Sequence, residues 1–200
     1  MFLIMGEKKM VLREQIENYK PINEDETAIQ KYMLKWMDNF DDVLTRQNEF
    51  AHFASSGIVL NQDRTKILLV YHNIYDSWLT PGGHADGEED LLSVAQREVE
   101  EETGQKVKIL DDSIFSISAS PIVGHWKRGE YVSAHTHLDT FYLFEADDSI
   151  PLTYREDESG GVKWEPIERI LDKDKIVYFM VPVHERIIEK VKEKKLILKS

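Results

Sequence analysis

The chain contains no cysteine. Disulfides, thiolate zinc sites, iron–sulfur clusters and a cysteine nucleophile are therefore excluded, and a cytoplasmic address fits best. No apolar run approaches the ~20 residues of a membrane span. The N-terminal apolar run, Phe2 to Met5, is too short for a signal-peptide core. Six prolines and ten glycines in 200 residues are too few for a low-complexity chain. Basic residues are also outnumbered: 25 Lys and Arg against 37 Asp and Glu leave a net charge of −12. That balance argues against binding a nucleic-acid polymer or an anionic membrane.

What is present suits one globular domain with an appendage. Hydrophobic residues make up 42% of the chain, and this length buries roughly 70% of the unfolded surface. Residues 1–50 read as an N-terminal helical extension. Asn23 and Glu26 form a capping-box pair after Pro21. Ile29, Met33, Trp36, Met37, Phe40 and Leu44 then recur at helical spacing. Such a stripe suits packing on the core or a homodimer contact equally well. Residues 51–200 read as a mixed α/β domain. Strand-like runs at Gly57–Leu60 and Lys66–His72 flank the turn Asn61-Gln62-Asp63-Arg64, and further strands are expected at Lys106–Leu110, Ile114–Ser118, His135–Glu145 and Lys163–Pro166. A helix is expected near Glu89–Thr103, stopped by Gly104, and an amphipathic one near Val181–Leu196.

The acidic charge is concentrated. Between Asp86 and Glu102 stand eight acids and one base, Arg97, which places −7 of the −12 in seventeen residues. On the expected helix, Glu98, Glu101 and Glu102 are spaced i, i+3, i+4 and share one side. Leu91, Leu92, Ala95 and Val99 define the buried stripe. Glu102 falls about 35° from its centre and Glu98 about 75°, while Glu100 points away. Carboxylates crowded at the edge of a core repel one another, and burial adds to the penalty. A solvated acidic face accounts for Glu100 and not for the others. Clustered oxygen ligands suit a hard divalent cation, and the preceding Pro81-Gly82-Gly83 loop exposes backbone groups to a cation or phosphate.

The segment Gly83–Gly104 resembles the Nudix box. Gly83, Glu89, Arg97, Glu98, Val99, Glu101, Glu102 and Gly104 stand in register, and Gln105 replaces the apolar residue that follows, with Val107 available in its place. The likeness covers residues 51–180 and leaves out the N-terminal helices. It implies an α/β/α sandwich with a mixed β-sheet and a pyrophosphatase acting on a small-molecule nucleoside diphosphate derivative. It also implies one to three Mg²⁺ or Mn²⁺ ions, held by Glu98, Glu101, Glu102 and the Gly82 carbonyl. Arg97 would orient the glutamates, Glu89 among them. The implied general base is Glu98 or Glu158 on the acidic loop 157–161, with Glu156 and Asp157 as substitutes.

Other residues carry weaker signals. His135, His137 and Asp139 alternate along one strand face, a pattern open to metal binding, substrate contact or ordinary packing. His84 lies within the box loop, facing phosphate or solvent. Trp126, Lys127 and Arg128 suit base stacking and phosphate contact, or an exposed hairpin tip. His52 and His72 read as strand-end residues. Two other classes compete with the hydrolase. A non-catalytic Nudix sensor module would tolerate loss of box glutamates, all of which are present here. A purely structural acidic helix would be indifferent to Mg²⁺. A diphosphate isomerase of the same superfamily is disfavoured by the lack of cysteine.

Overall fold

The computed structural model describes residues 12–127, 129–154, 159–171 and 176–194. Among these residues two helices come first, α1 (residues 12–18) and α2 (Glu24–Asn39). The Asn23 side chain caps α2 by accepting from the Glu26 N–H at 2.9 Å, and Glu26 answers by accepting from the Ile22 N–H at 3.1 Å. The helix ends at Asn39, so Leu44 is buried from the loop beyond it and not from the helical stripe. Met33 and Met37 are buried, and Ile29, Trp36 and Phe40 pack against the same cluster. The stripe is thus core-facing within the chain.

Among the described residues nine strands follow: β1 (Ala51–Asn61), β2 (Lys66–His72), β3 (Ser77–Leu79), β4 (Gly82–His84), β5 (Lys108–Ile122), β6 (His125–Lys127), β7 (Glu130–Val132), β8 (His135–Ala146) and β9 (Ser159–Pro166). Helix α3 (Leu91–Thr103) lies between β4 and β5, and α4 (Val181–Glu193) follows β9. Seven strands form one mixed sheet ordered β3-β2-β1-β8-β5, with β4 paired to β1 and β9 to β2. β1 and β8 are parallel in unbroken register from Ala51↔Thr136 to Asn61↔Ala146. β6 and β7 form a separate hairpin. The two expected strands over 106–118 are a single strand, β5, interrupted by register shifts near Asp111.

Period-two alternation sends successive side chains of the central strands to opposite faces. Phe53, Val59, Leu68, Leu138, Tyr142 and Phe144 pack with α1, α2 and α3. Ile58, Leu60, Ile67, Leu69, Phe141 and Leu143 pack with Val183 and Ile187 of α4. The result is an α/β/α sandwich with the sheet in the middle. Among the described residues, no helix is long and apolar enough to cross a membrane.

A buried ionic knot ties α2 to α4. Glu26, fully buried, accepts from Lys190 at 2.7 and 2.9 Å and from the Ser116 hydroxyl at 2.9 Å, with Arg186 at 3.6 Å. Lys190 also donates to the Phe115 carbonyl at 3.0 Å and to the Tyr19 hydroxyl. Burial works to raise the Glu26 carboxyl, but the hydrogen bonds from Lys190, Tyr19 and the Ile22 N–H outweigh it and hold it below the usual carboxylate value.

Candidate active site

Helix α3 carries the acidic cluster, and its ends are well specified. The Asp90 side chain accepts from the Ser93 N–H at 3.2 Å, and Gly104 closes the helix in the left-handed conformation at φ 70°. Leu91, Val94, Ala95, Val99 and Thr103 are buried. Gln105, at the departure from the box pattern, is fully buried and donates to the Ile150 carbonyl at 3.1 Å, while Val107 packs against the core.

The glutamates divide as the helical angles require for Glu98, Glu100 and Glu102, but Glu101, which the i, i+3, i+4 spacing groups with the inward pair, lies on the solvent side with Glu100. Glu98 and Glu102 are half-buried, and Glu100 and Glu101 are exposed. Strand β4 meets the first two. Glu102 Oε2 accepts from the Gly82 N–H at 3.0 Å. The Glu98 carboxylate lies so close over Gly83 that a Cβ there would sit 2.5 Å from its Cδ and Oε2. Arg97 Nη1 donates to Glu98 Oε1 at 2.6 Å and stands 3.9 Å from Glu101 Oε1. Its other ion-pair partner is Glu88, at 3.9 Å, rather than Glu89, whose Oε2 is buried without a hydrogen-bond partner. Burial raises the Glu98 carboxyl above its ordinary value against the pull of Arg97, and Glu101 and Asp86 push it further.

These residues suit a hard divalent cation. The donors are all oxygen, carboxylates on one helix side beside Gly82 and Gly83, which form half-buried strand β4 paired to β1 rather than the open loop that their glycines suggest. One guanidinium is too little charge to neutralise them, and an orphaned buried carboxylate oxygen stands close by in sequence. Glu158 and Arg128 lie outside the described residues. Trp126 stands on the β6–β7 hairpin, 73% exposed and edge-on to Tyr131 at 5.6 Å. A cavity of about 500 Å³ lies elsewhere, lined by α1, β5 and α4 residues including Lys190 and Lys194, and it contains no box residue.

Four histidines converge on the sheet face opposite α3. His135 and His137 alternate on β8, His52 is directly across from His137 on β1, and His84 pairs with Ala54 two residues along β1. Each has a ligating atom within 4.8 Å of the others. Asp139, which the alternation along β8 adds to the same row, is no member of this group. It is buried, accepts from Ser120 Oγ at 2.5 Å and is pushed up by burial to about 6. His52 and His72 do stand at strand ends, second in β1 and last in β2, but His52 also joins this cluster. Only the long-range pairing of β1 with β8 brings it to the others, and no local pattern signals that.

Residues 51–187 match the NUDIX domain family. The chain is 30% identical over 142 residues to the RNA pyrophosphohydrolase of Pelagibacter ubique (strain HTCC1062), a match covering 68% of this chain and 88% of that protein. It is also 30% identical over 91 residues to the m7GpppN-mRNA hydrolase NUDT17 of Xenopus laevis, spanning 46% of this chain and 29% of that one. The solved structure of the MutT protein from Methanosarcina mazei Go1 superposes with a TM-score of 0.53 at 19% identity, covering 74% of this chain and 98% of that chain. That likeness is one of fold.

Proposed function

Because the chain belongs to the NUDIX family of hydrolases, we propose that it cleaves a pyrophosphate bond in a nucleoside diphosphate linked to another moiety, with Mg²⁺ or Mn²⁺ held by Glu98, Glu101, Glu102 and the Gly82 carbonyl. One observation carries this reading: β4 and α3 clasp each other through Glu102 on the Gly82 N–H and Glu98 over Gly83. Those contacts fix two carboxylates of a charge-dense helix beside the half-buried glycine backbone of β4. When bound, the divalent ion supplies neutralisation of the phosphate oxygens and a water of lowered pKa.

The chain's own residues do the rest. Arg97 holds Glu98 Oε1, while Oε2 lies over Gly83. Glu98, whose carboxyl burial raises above its ordinary value, is one candidate for the general base, and Glu158 is the second. Glu102, anchored by a backbone N–H, cannot swing away when the charge of its neighbours changes. Trp126 and Tyr131 offer exposed aromatic faces to a base. The net charge of −12 favours a small nucleotide over an RNA end as substrate.

The test is release of phosphate or nucleotide from a panel of ADP-ribose, NADH, diadenosine polyphosphates, nucleotide sugars, CoA, oxidised dNTPs and 5′-triphosphorylated RNA, with and without Mg²⁺. Turnover of a small substrate that requires the metal and disappears in Glu102→Gln is expected. Unchanged turnover in that variant overturns the assignment. Preferential turnover of the RNA overturns the small-molecule choice. Tight nucleotide binding without turnover would instead identify a sensor module.

A further inference from the structure

We propose that His52, His84, His135 and His137 form a second metal site, distinct from the glutamate cluster, for a borderline-soft transition metal of which Zn²⁺ fits best. The sheet builds it. β1 and β8 are paired in parallel with His52 opposite His137, and β4 is paired antiparallel to β1 with His84 opposite Ala54. All four side chains therefore leave the same face of neighbouring strands. Along β4 the alternation separates the two centres: Gly83 lies under Glu98, and His84 projects to the other side.

The ligand geometry agrees with nitrogen coordination. Zn–N bonds of about 2.0–2.1 Å in a tetrahedron put neighbouring nitrogens about 3.3–3.4 Å apart. His135 Nε2 and His137 Nε2 are 3.2 Å apart, and the whole set lies within 4.8 Å. The widest pair closes by no more than about 1.5 Å to reach that geometry.

Outer partners already select the ligating nitrogen. His52 Nδ1 bonds the Asn48 carbonyl at 2.9 Å and His135 Nδ1 bonds the Ser133 carbonyl at 2.7 Å. A carbonyl only accepts, so both rings carry the proton on Nδ1 and present a lone pair at Nε2. Metal-ligating histidines are held in the same way. His52 Nε2 is buried with no hydrogen-bond partner.

Four imidazoles and no carboxylate disfavour Mg²⁺, which demands oxygen donors. The ion would tie β4 to β1 and β8, stiffening the strand that presents Gly82 and Gly83 to the glutamates. This role withdraws His84, His135 and His137 from the direct substrate contact that their sequence positions suggest.

The experiment is calorimetric titration of the full chain, stripped with EDTA and dialysed, with ZnCl₂ in saturating Mg²⁺. One Zn²⁺ per chain is expected. Removing even an outer partner of such a site costs 10- to 100-fold, so loss of two ligands in His135→Ala/His137→Ala is expected to weaken binding by about 100-fold or more. Glu98→Gln/Glu102→Gln is expected to bind Zn²⁺ as the wild type does, which separates this site from the proposed hydrolytic centre. His84→Asn makes the same comparison should the double histidine variant fail to fold. Zn²⁺ binding that is absent from the wild type, unaffected by the histidine changes, or lost with the glutamates overturns the proposal.

Discussion

Gly83→Ala isolates the geometry of Glu98 from the stability of the fold. A Cβ at Gly83 would lie 2.5 Å from both Cδ and Oε2 of Glu98 and 2.9 Å from Oε1, whereas ordinary contact begins at 3.4 Å. The carboxylate must therefore retreat by 3.4 minus 2.5, or 0.9 Å. It is the far end of a flexible side chain, so the retreat costs the fold less than about 1 kcal/mol. Catalysis is less forgiving: a misplacement of about 1 Å costs on the order of 100-fold, equivalent to about 2.7 kcal/mol of transition-state stabilisation. The assay pairs steady-state hydrolysis across a Mg²⁺ titration with urea denaturation of the same preparations. Expected is a fall in kcat of about 100-fold, a weaker Mg²⁺ response and an unfolding midpoint close to wild type. Turnover within about threefold of wild type would refute the placement of Glu98 in the reaction. A large loss of stability would refute the claim that only the side chain yields.

The neighbouring glycine should behave oppositely. A Cβ at Gly82 meets the Ser55 carbonyl at 2.7 Å and Ser56 Cα at 2.8 Å, backbone atoms that cannot rotate aside, so Gly82→Ala should destabilise by about 1–3 kcal/mol in denaturant melts. Glu26→Gln should cost about 3–5 kcal/mol at neutral pH, since it strands the buried Lys190 ammonium. The Glu26 carboxyl is depressed in the fold, so its contribution is present above the unfolded value near 4.3 and is lost as pH falls through the folded one; melts at falling pH should show the deficit of Glu26→Gln shrinking. Trp126→Ala should raise KM for the preferred nucleotide with little change in kcat or melting temperature, as loss of a stacking surface worth about 1–3 kcal/mol requires. Saturating Mg²⁺ should raise the melting temperature of the wild type and not of Glu98→Gln/Glu102→Gln, by linkage of binding to folding.

Local chemistry made much of this legible. Asn23 and Glu26 marked the start of α2, Gly104 the end of α3, and the long run beginning at His135 the strand β8. The helical angles separated Glu100 from Glu98 and Glu102 because a 3.6-residue period needs no partner to be read. Other features resisted for equally physical reasons. The end of α2 was overrun because Leu44 is apolar and in phase, although the chain has already turned at Phe40. Glu26 read only as a cap, while its deeper role depends on Lys190, 164 residues away. Arg97 reached Glu88 instead of Glu89 because the loop before Asp90 is irregular and side-chain direction there follows no period.

The sequence by itself determined the acidic density of residues 86–102, the spacing that aims two glutamates inward, and the positions of α2, α3, β1, β2 and β8, but not the short strands β3 and β4. Each depends on residues within a few turns of one another. Tertiary structure alone decided which surfaces those elements share. It laid Glu98 over Gly83 and hung Glu102 on the Gly82 N–H. It also brought His52 to His137 through parallel pairing across 85 positions. Strand register is fixed by burying both faces of the whole sheet at once, a cooperative choice that no short stretch of sequence contains.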